Sequence, residues 1–370
     1  MRIGQIVASA DPRLGGPSVS VPRMAEALSR LGHKVELLST DSHSSDPEGS
    51  GYLTSRRFKR IWPEQLCISP ELDHYLRNTG YDIMHSNGLW HRTVHYAGKA
   101  ARRADIPHVL APRGMLSPWA ISYKRWRKRL AGPLIHPRLL SRVTAFHATS
   151  PTEADDIRKL GYTQPICVAP NGIDAPTQEE EALARRYWLN ACPEAFERPT
   201  ALFYSRFHRK KRLLELIDLW ISEAPQDWLL LIVGFPQEYD VNQLNEYIVR
   251  NGGANNITVF DGSEAPPPYV AASLFLLPSF SESFGIVVAE ALANGVPVLV
   301  TDTTPWLHVN ETEFGWCGPW SEYRGALKDA LALGPVTLRE RGRQARQWVG
   351  TEYTWEKSAK TLTAFYESLK

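Results

Sequence analysis

The sequence predicts an α/β protein of two doubly wound, Rossmann-like domains facing each other across a cleft. Short apolar runs alternate with helix-period segments along all 370 residues, the pattern of parallel strands joined by crossover helices. A chain of this length with 43% hydrophobic residues can bury two cores, and ordinary domain size favours two. A polar, Pro- and Glu-rich stretch from Ala175 to Pro199 reads as the separator of the halves. The expected domains are residues 1–170 and 171–352, followed by a terminal helix over 353–370.

In the first half, strands are expected at Ile3–Ala8, Val35–Ser39, Asp82–Ser86, His108–Ala111 and Ala145–Thr149. The first helix is expected over Ser18–Leu31, stopped by Gly32. In the second half, strands are expected at Ala201–Tyr204, Trp228–Val233, Ile257–Phe260, Leu274–Leu277 and Val298–Thr301, with helices at Leu213–Ser222 and Val241–Arg250. The last segment places Trp355, Ala359, Leu362 and Phe365 on one helical face.

Composition excludes several classes. A net charge of +2 makes the whole chain no nucleic-acid binder, so any basic partner site must be local. The four cysteines (Cys67, Cys167, Cys192, Cys317) form no CxxC pair or metal-ligand spacing and read as reduced, buried thiols of a cytosolic protein. The first apolar strand is too short for a signal peptide, and no eighteen-residue apolar run exists.

The segment Glu282-Ser283-Phe284-Gly285-Ile286-Val287-Val288-Ala289-Glu290 carries most of the functional signal. It reads as a Ser-rich loop after a buried strand, then a helix from about Phe284 to Asn294 capped by Ser281 or Ser283. Backbone N–H groups and a positive dipole end at such a start suit a diphosphate. Two carboxylates, one before the helix and one inside it, suit sugar and ribose hydroxyls.

With these residues the chain resembles the retaining glycosyltransferases of family 4, with the two-domain GT-B architecture. Gly15-Gly16-Pro17 is similar to the family's N-terminal glycine loop, and Gly32-His33-Lys34-Val35 to its strand entry. Ala169-Pro170-Asn171-Gly172-Ile173-Asp174 resembles its interdomain PNGID. Ser205-Arg206-Phe207-His208-Arg209-Lys210-Lys211 resembles its basic loop, with Ser for the usual Gly, and Glu282 to Glu290 resembles its double-glutamate motif. The resemblance implies that Arg206 and Lys211 stabilise the leaving diphosphate, Glu282 holds donor-sugar hydroxyls and Glu290 holds the ribose. It implies donor contacts from Gly15, Gly16, Ser283, Phe284, Gly285 and Ile286, and a nucleotide base near Phe260-Asp261-Gly262. It also implies that the terminal helix packs back on the first domain. No D-x-D occurs in the sequence, so no cofactor or metal is expected; Arg, Lys and a helix N-terminus would neutralise the diphosphate.

Arg113 stands where many members carry His, and Arg cannot act as a base at working pH. It is expected to bind phosphate or acceptor, as is His85, read as a strand-tip residue. Trp119 to Arg142 carries seven Lys or Arg, no acid and two Trp. Its centre, Lys124, Arg125, Trp126, Arg127, Lys128 and Arg129, reads as a possible contact with an anionic membrane surface. The expected activity is transfer of a hexose from a UDP- or GDP-linked donor to a lipid-linked or oligosaccharide acceptor of surface polysaccharide or lipopolysaccharide synthesis. The expected location is cytoplasmic, peripheral to the inner membrane face. Alternatives are a nucleotide-sugar 2-epimerase of the same architecture and a non-catalytic nucleotide-sugar-binding subunit.

Overall fold

The computed structural model describes residues 1–11, 15–43, 45–49, 51–123, 137–223, 225–253 and 255–370. The expected membrane-facing residues Lys124 to Arg129 lie outside them. The chain forms two compact units, Met1–Gly172 with Tyr353–Lys370, and Ile173–Glu352.

The first unit is built on a sheet of order β3-β4-β2-β1-β5-β6-β7-β8. Its strands are β1 (Arg2–Ile6), β2 (Lys34–Asp41), β3 (Ser45–Glu48), β4 (Leu53–Lys59), β5 (Ile83–Asn87), β6 (His108–Ala111), β7 (Ala145–Ala148) and β8 (Ile166–Val168). Among the described strands of this sheet only the β3–β4 pair is antiparallel. The central strands read as continuous apolar runs because both sheet faces are covered; every residue of β5 and β6 is buried. The terminal helix Trp355–Ser368 belongs to this unit, and Trp355, Ala359, Leu362 and Tyr366 join Val21, Met24 and Leu28 in one core cluster. Tyr366 is buried where the sequence pattern points to Phe365, which packs only at the edge of the cluster. Gly172 fixes the approach of this helix, since a Cβ there would stand 2.3 Å from the Trp355 backbone nitrogen.

The second unit is an all-parallel sheet of order β11-β10-β9-β12-β13-β14. Its strands are β9 (Thr200–Phe207), β10 (Leu229–Pro236), β11 (Ile257–Asp261), β12 (Leu274–Leu277), β13 (Val298–Thr301) and β14 (Gly315–Gly318). The strand order reverses between β9 and β12. In such sheets a crevice opens beyond the strand C-terminal ends at the reversal.

Several expectations need correction. The stretch read as a separator is mostly helix, Gln178–Ala191, begun by a capping box in which Thr177 and Glu180 satisfy each other's backbone N–H. Its glutamates fill the first turn of the helix, where acidic side chains favour the N-terminus. Strands β3, β4, β8 and β14 are additional. β3, β8 and β14 are three- or four-residue strands at sheet edges, while β4 lies between β3 and β2 with a half-buried polar sequence (LTSRRFK) that shows no apolar run. The first unit continues past Pro170 to Gly172, because the Asn171 side chain accepts a hydrogen bond from Arg113 within it. All four cysteines are buried and free.

Candidate active site

In the second unit the site grows from the two loops that flank the strand reversal. Arg206 is exposed at the penultimate position of β9. The chain then enters a tight turn, Arg209–Lys211, where His208 Nδ1 accepts the Lys210 N–H at 2.9 Å and Arg212 adopts φ +53°. This turn drives Lys211 inward. Its side chain is buried, and its Nζ lies 2.5 Å from Glu282 Oε1.

The loop after β12 is pinned to receive it. The Phe280 N–H donates to Lys210 O at 2.8 Å, while Ser279 O accepts the hydroxyls of Thr301 and Thr303 at 2.7 and 2.5 Å. The Glu282 N–H donates to Thr303 O at 3.2 Å, and the Arg212 guanidinium lies over the Phe280 ring. Thr301, Thr303 and the Phe280 clamp carry no motif signal, so sequence reasoning missed them. Burial pushes Glu282 upward, but Lys211 and then Lys210 outweigh it and hold the carboxyl at about 2. Burial is also the largest influence on Lys211 and lowers it despite the opposing Glu282 charge; nearby Lys210 and Arg206 add to the lowering. Arg206, Lys210 and Lys211 therefore form one positive field around a single carboxylate.

The helix Ile286–Ala293 starts beside this pair. Its N-cap is Gly285 at φ +76°, with no side-chain cap, and not Ser281 or Ser283. Glycine is needed because the loop must turn left-handed. Trp306 Nε1 secures the turn by donating to Phe284 O at 2.6 Å, with the two rings 5.4 Å apart. A helix start with no side chain over it leaves backbone N–H groups available to an anion. Ser283 is half-buried in the loop and Phe284 is buried, so Phe284 can offer a ligand only its backbone. Glu290 follows one turn beyond Ile286. Burial raises its carboxyl to about 7, against the hydrogen bond that Tyr269 Oη donates to Oε2 at 2.7 Å. Tyr269, on the turn before β12, is a partner that sequence reasoning did not find. At the end of β11 the Asp261 carboxylate accepts the Ser263 N–H and hydroxyl, closing its own turn.

In the first unit, Gly15 and Gly16 follow β1 at φ +65° and +47°, and a Cβ on either would meet no protein atom within 4 Å. His85 is not at a strand tip. It lies within β5, fully buried, its Nδ1 hydrogen-bonded with Tyr366 Oη at 2.5 Å. Burial, then the nearby His147, Arg113 and His108, lower its pKa well below the ordinary histidine value. A neutral, enclosed imidazole bonded on both sides is a structural group, and the substrate-binding reading of His85 is withdrawn. The polar residue at the tip of β5 is Asn87, whose Oδ1 accepts from Arg113 Nε and Nη2 at 3.0 and 2.8 Å.

Residues 15–172 match the model of the glycosyl transferase 4-like domain, and residues 191–333 that of glycosyl transferases group 1. The chain is 25% identical to D-inositol 3-phosphate glycosyltransferase of Jonesia denitrificans, over 95% of this chain and 91% of that protein. Among solved structures, Anabaena HepE in complex with UDP and glucose superposes with a TM-score of 0.74 at 17% identity, covering all of both chains. WaaG, a glycosyltransferase involved in lipopolysaccharide biosynthesis, superposes with a TM-score of 0.69 at 14% identity, over 98% of this chain and 99% of that one. The switch-point loops, the two parallel sheets and both family matches agree, and the chain belongs to the family 4, group 1 glycosyltransferases of GT-B fold, enzymes that use nucleotide sugars.

Proposed function

We propose that this enzyme is a retaining, metal-independent hexosyltransferase. It moves a hexose from a UDP- or GDP-linked donor to a hydroxyl of a lipid-linked or oligosaccharide acceptor in surface polysaccharide or lipopolysaccharide synthesis. The observation that carries the reading is the buried Lys211–Glu282 pair beside the uncapped start of Ile286–Ala293, at the strand reversal of the second unit.

Cleavage of the sugar–phosphate bond leaves negative charge on the nucleoside diphosphate. Arg206, Lys211 and the N–H groups at Gly285 and Ile286 face that charge, a role that elsewhere falls to a divalent cation. Glu282 is fixed by Lys211 and stays ionised, so it accepts hydrogen bonds from donor-sugar hydroxyls without taking a proton. Glu290 takes the ribose hydroxyls, with Tyr269 holding its other oxygen. The bond from the sugar's anomeric carbon to the acceptor oxygen forms on the face the phosphate leaves, and the departing phosphate oxygen takes the hydroxyl proton. No side-chain base is then required, in keeping with an arginine at position 113.

UDP bound to HepE, the inositol 3-phosphate acceptor in the name of the Jonesia relative and the lipopolysaccharide role of WaaG support a nucleotide-sugar donor and a polar, phosphate-bearing acceptor. The basic-aromatic sequence from Lys124 to Arg129 supports work at the cytoplasmic face of an anionic membrane. Among the described residues no helix is long and apolar enough to cross one.

The test is calorimetric titration with UDP, GDP, ADP and their sugar conjugates in EDTA. Micromolar binding of one nucleotide family without metal, followed by an α-linked product from its α-linked sugar, is the expected result. Turnover restored only by a divalent cation would refute metal independence. Conversion of the donor sugar with no acceptor present would favour the epimerase.

A further inference from the structure

The turn that opens the helix Ile286–Ala293 takes its shape from one indole. Trp306, on the loop after β13, is 1% exposed, and its single polar side-chain atom, Nε1, donates to Phe284 O at 2.6 Å. An indole N–H has one hydrogen bond to give, and leaving it unmade in the interior is costly, so the contact is firmly held. In a trans peptide the carbonyl oxygen and the following N–H point opposite ways. Holding Phe284 O towards the indole therefore turns the Gly285 N–H away from it. Gly285 is left-handed, at φ +76° and ψ +61°, and Ile286 enters the right-handed helix. Such a succession curls consecutive N–H groups around one concavity, here those of Gly285, Ile286 and Val287. None of the three donates to an acceptor among the described residues.

The indole is itself held by packing. Its ring centroid lies 5.4 Å from that of Phe284 and 5.3 Å from that of His308. His308 in turn lies 5.0 Å from Trp348 of the helix Gly334–Glu352. Earlier residues of the same loop grip the donor loop further back. The Thr301 and Thr303 hydroxyls donate to Ser279 O, and Thr303 O accepts the Glu282 N–H. Thr303 thus sets the Glu282 backbone, and Trp306 sets the peptide in front of the helix. With its N–H spent and its surface buried, Trp306 touches no ligand, so any effect it has on one passes through the Phe284–Gly285 peptide.

We propose that Trp306 is a positioning residue for the donor diphosphate: by holding Phe284 O it aims the Gly285 N–H, with those of Ile286 and Val287, at a phosphoryl oxygen. This deepens the glycosyltransferase reading and rests on it for the identity of the anion. Turning the Phe284–Gly285 peptide over would put a carbonyl oxygen where the N–H stood, exchanging attraction of the anion for repulsion. A side chain outside the motif from Glu282 to Glu290 thereby decides whether that motif binds phosphate.

The test uses the full chain and two matched variants. Trp306→Phe keeps a ring in place and removes the N–H from Phe284 O. Trp188→Phe does the same to another buried indole of the second unit, which donates to Pro266 O at 3.0 Å and does not touch the loop from Ser279 to Gly285. Wild type and variants are titrated calorimetrically in EDTA with UDP, GDP, uridine, guanosine and inorganic pyrophosphate. Trp306→Phe should weaken the diphosphates and pyrophosphate by roughly tenfold or more and leave nucleoside affinity unchanged. Trp188→Phe should leave the ratio of diphosphate to nucleoside affinity unaltered. In glycine-labelled wild type the Gly285 amide resonance should shift when diphosphate binds, and the shift should be absent in Trp306→Phe. A Trp306→Phe enzyme whose diphosphate affinity stays within about twofold of wild type overturns the proposal. Equal weakening of nucleoside and diphosphate overturns it too, as does the same altered ratio in Trp188→Phe. A wild type that binds pyrophosphate but no nucleotide refutes the donor assignment, and loss of pyrophosphate in Trp306→Phe then still supports the positioning role. A wild type that binds none of these ligands overturns it.

Discussion

Replacing Lys211 by methionine tests the centre of the site through stability and chemistry together. Methionine keeps the volume of the buried side chain and removes its charge. Glu282, 11% exposed at its side chain, then loses the ammonium 2.5 Å away. In the wild type its pKa falls from 4.5 to about 2. A depressed carboxylate contributes stability that is present above the unfolded-state pKa and lost as pH falls through the folded one. At about 1.4 kcal/mol per pKa unit the ionised Glu282, held by Lys211 and Lys210 against burial, contributes about 3 kcal/mol near neutral pH, withdrawn between about pH 4.5 and 2. Burial of the Lys211 ammonium, whose pKa is lowered, offsets part of it. Breaking a buried pair by removing one partner costs about 3–5 kcal/mol, so the variant should lose at least that much at pH 7. For a unit of this size that lowers its calorimetric transition by roughly 6–20 °C. As pH falls towards 3 the lone carboxyl of the variant protonates and the deficit should narrow. Measured well below the lowered transition, kcat should fall roughly 100-fold or more if Lys211 meets the leaving diphosphate. A variant that melts with the wild type at pH 7, or whose deficit is the same at pH 7 and pH 4, refutes the charge argument. A folded variant with full kcat refutes the leaving-group role.

Glu290→Gln should stabilise the second unit of the free enzyme by about 3 kcal/mol at pH 8. Burial raises Glu290 from 4.5 to about 7, so the wild type loses stability as pH rises through that window and a neutral amide does not; identical wild-type and variant melting profiles from pH 5 to 8 would contradict this. The same substitution should weaken nucleotide more than it weakens free diphosphate, by calorimetry, because only the ribose contact is removed. The first unit should be acid-sensitive: burial lowers His108 and His147 to about 3, so stability is lost as pH falls from about 6.5 towards 3, and a flat melting temperature across that range would count against neutral buried imidazoles. Tyr366→Phe deletes the hydroxyl on His85 Nδ1 and should cost about 1–2 kcal/mol of first-unit stability in denaturant titration. Gly172→Ala drives a Cβ into the Trp355 backbone, so the Trp355–Ser368 helix must shift, read as a lowered first-unit transition and altered tryptophan fluorescence; an unchanged spectrum would show that the helix does not dock there.

Much of the fold was legible because parallel strands covered on both faces must be apolar throughout. The runs at His108–Ala111, Leu274–Leu277 and Val298–Thr301 end in the structure where the sequence ends them. β4 escaped for the converse reason: its side chains are only half-buried, so between β3 and β2 it needs only to pair its backbone, and Arg56 and Arg57 satisfy that as well as valine would. The candidate site was legible in part. Glycine at 285 and carboxylates at 282 and 290 announce a turn and polar contacts, but the cap is the glycine backbone, because Gly285 itself turns left-handed where a serine cap was expected. His85 misled because strand-end polarity looks the same whether a side chain meets a ligand or a distant tyrosine.

By itself the sequence determined what local physics decides: parallel α/β units, a basic loop after one strand, a glycine turn before a helix, and the absence of a D-x-D. Tertiary structure decided which groups are paired and which protonation states they keep. Lys211 and Glu282 are 71 residues apart, and only the strand reversal brings their loops together and seals the pair from water. Tyr366 lies 281 residues from His85, yet its hydroxyl stands 2.5 Å from the buried Nδ1. Burial and hydrogen-bond direction depend on neighbours remote in the chain, so no local pattern encodes them.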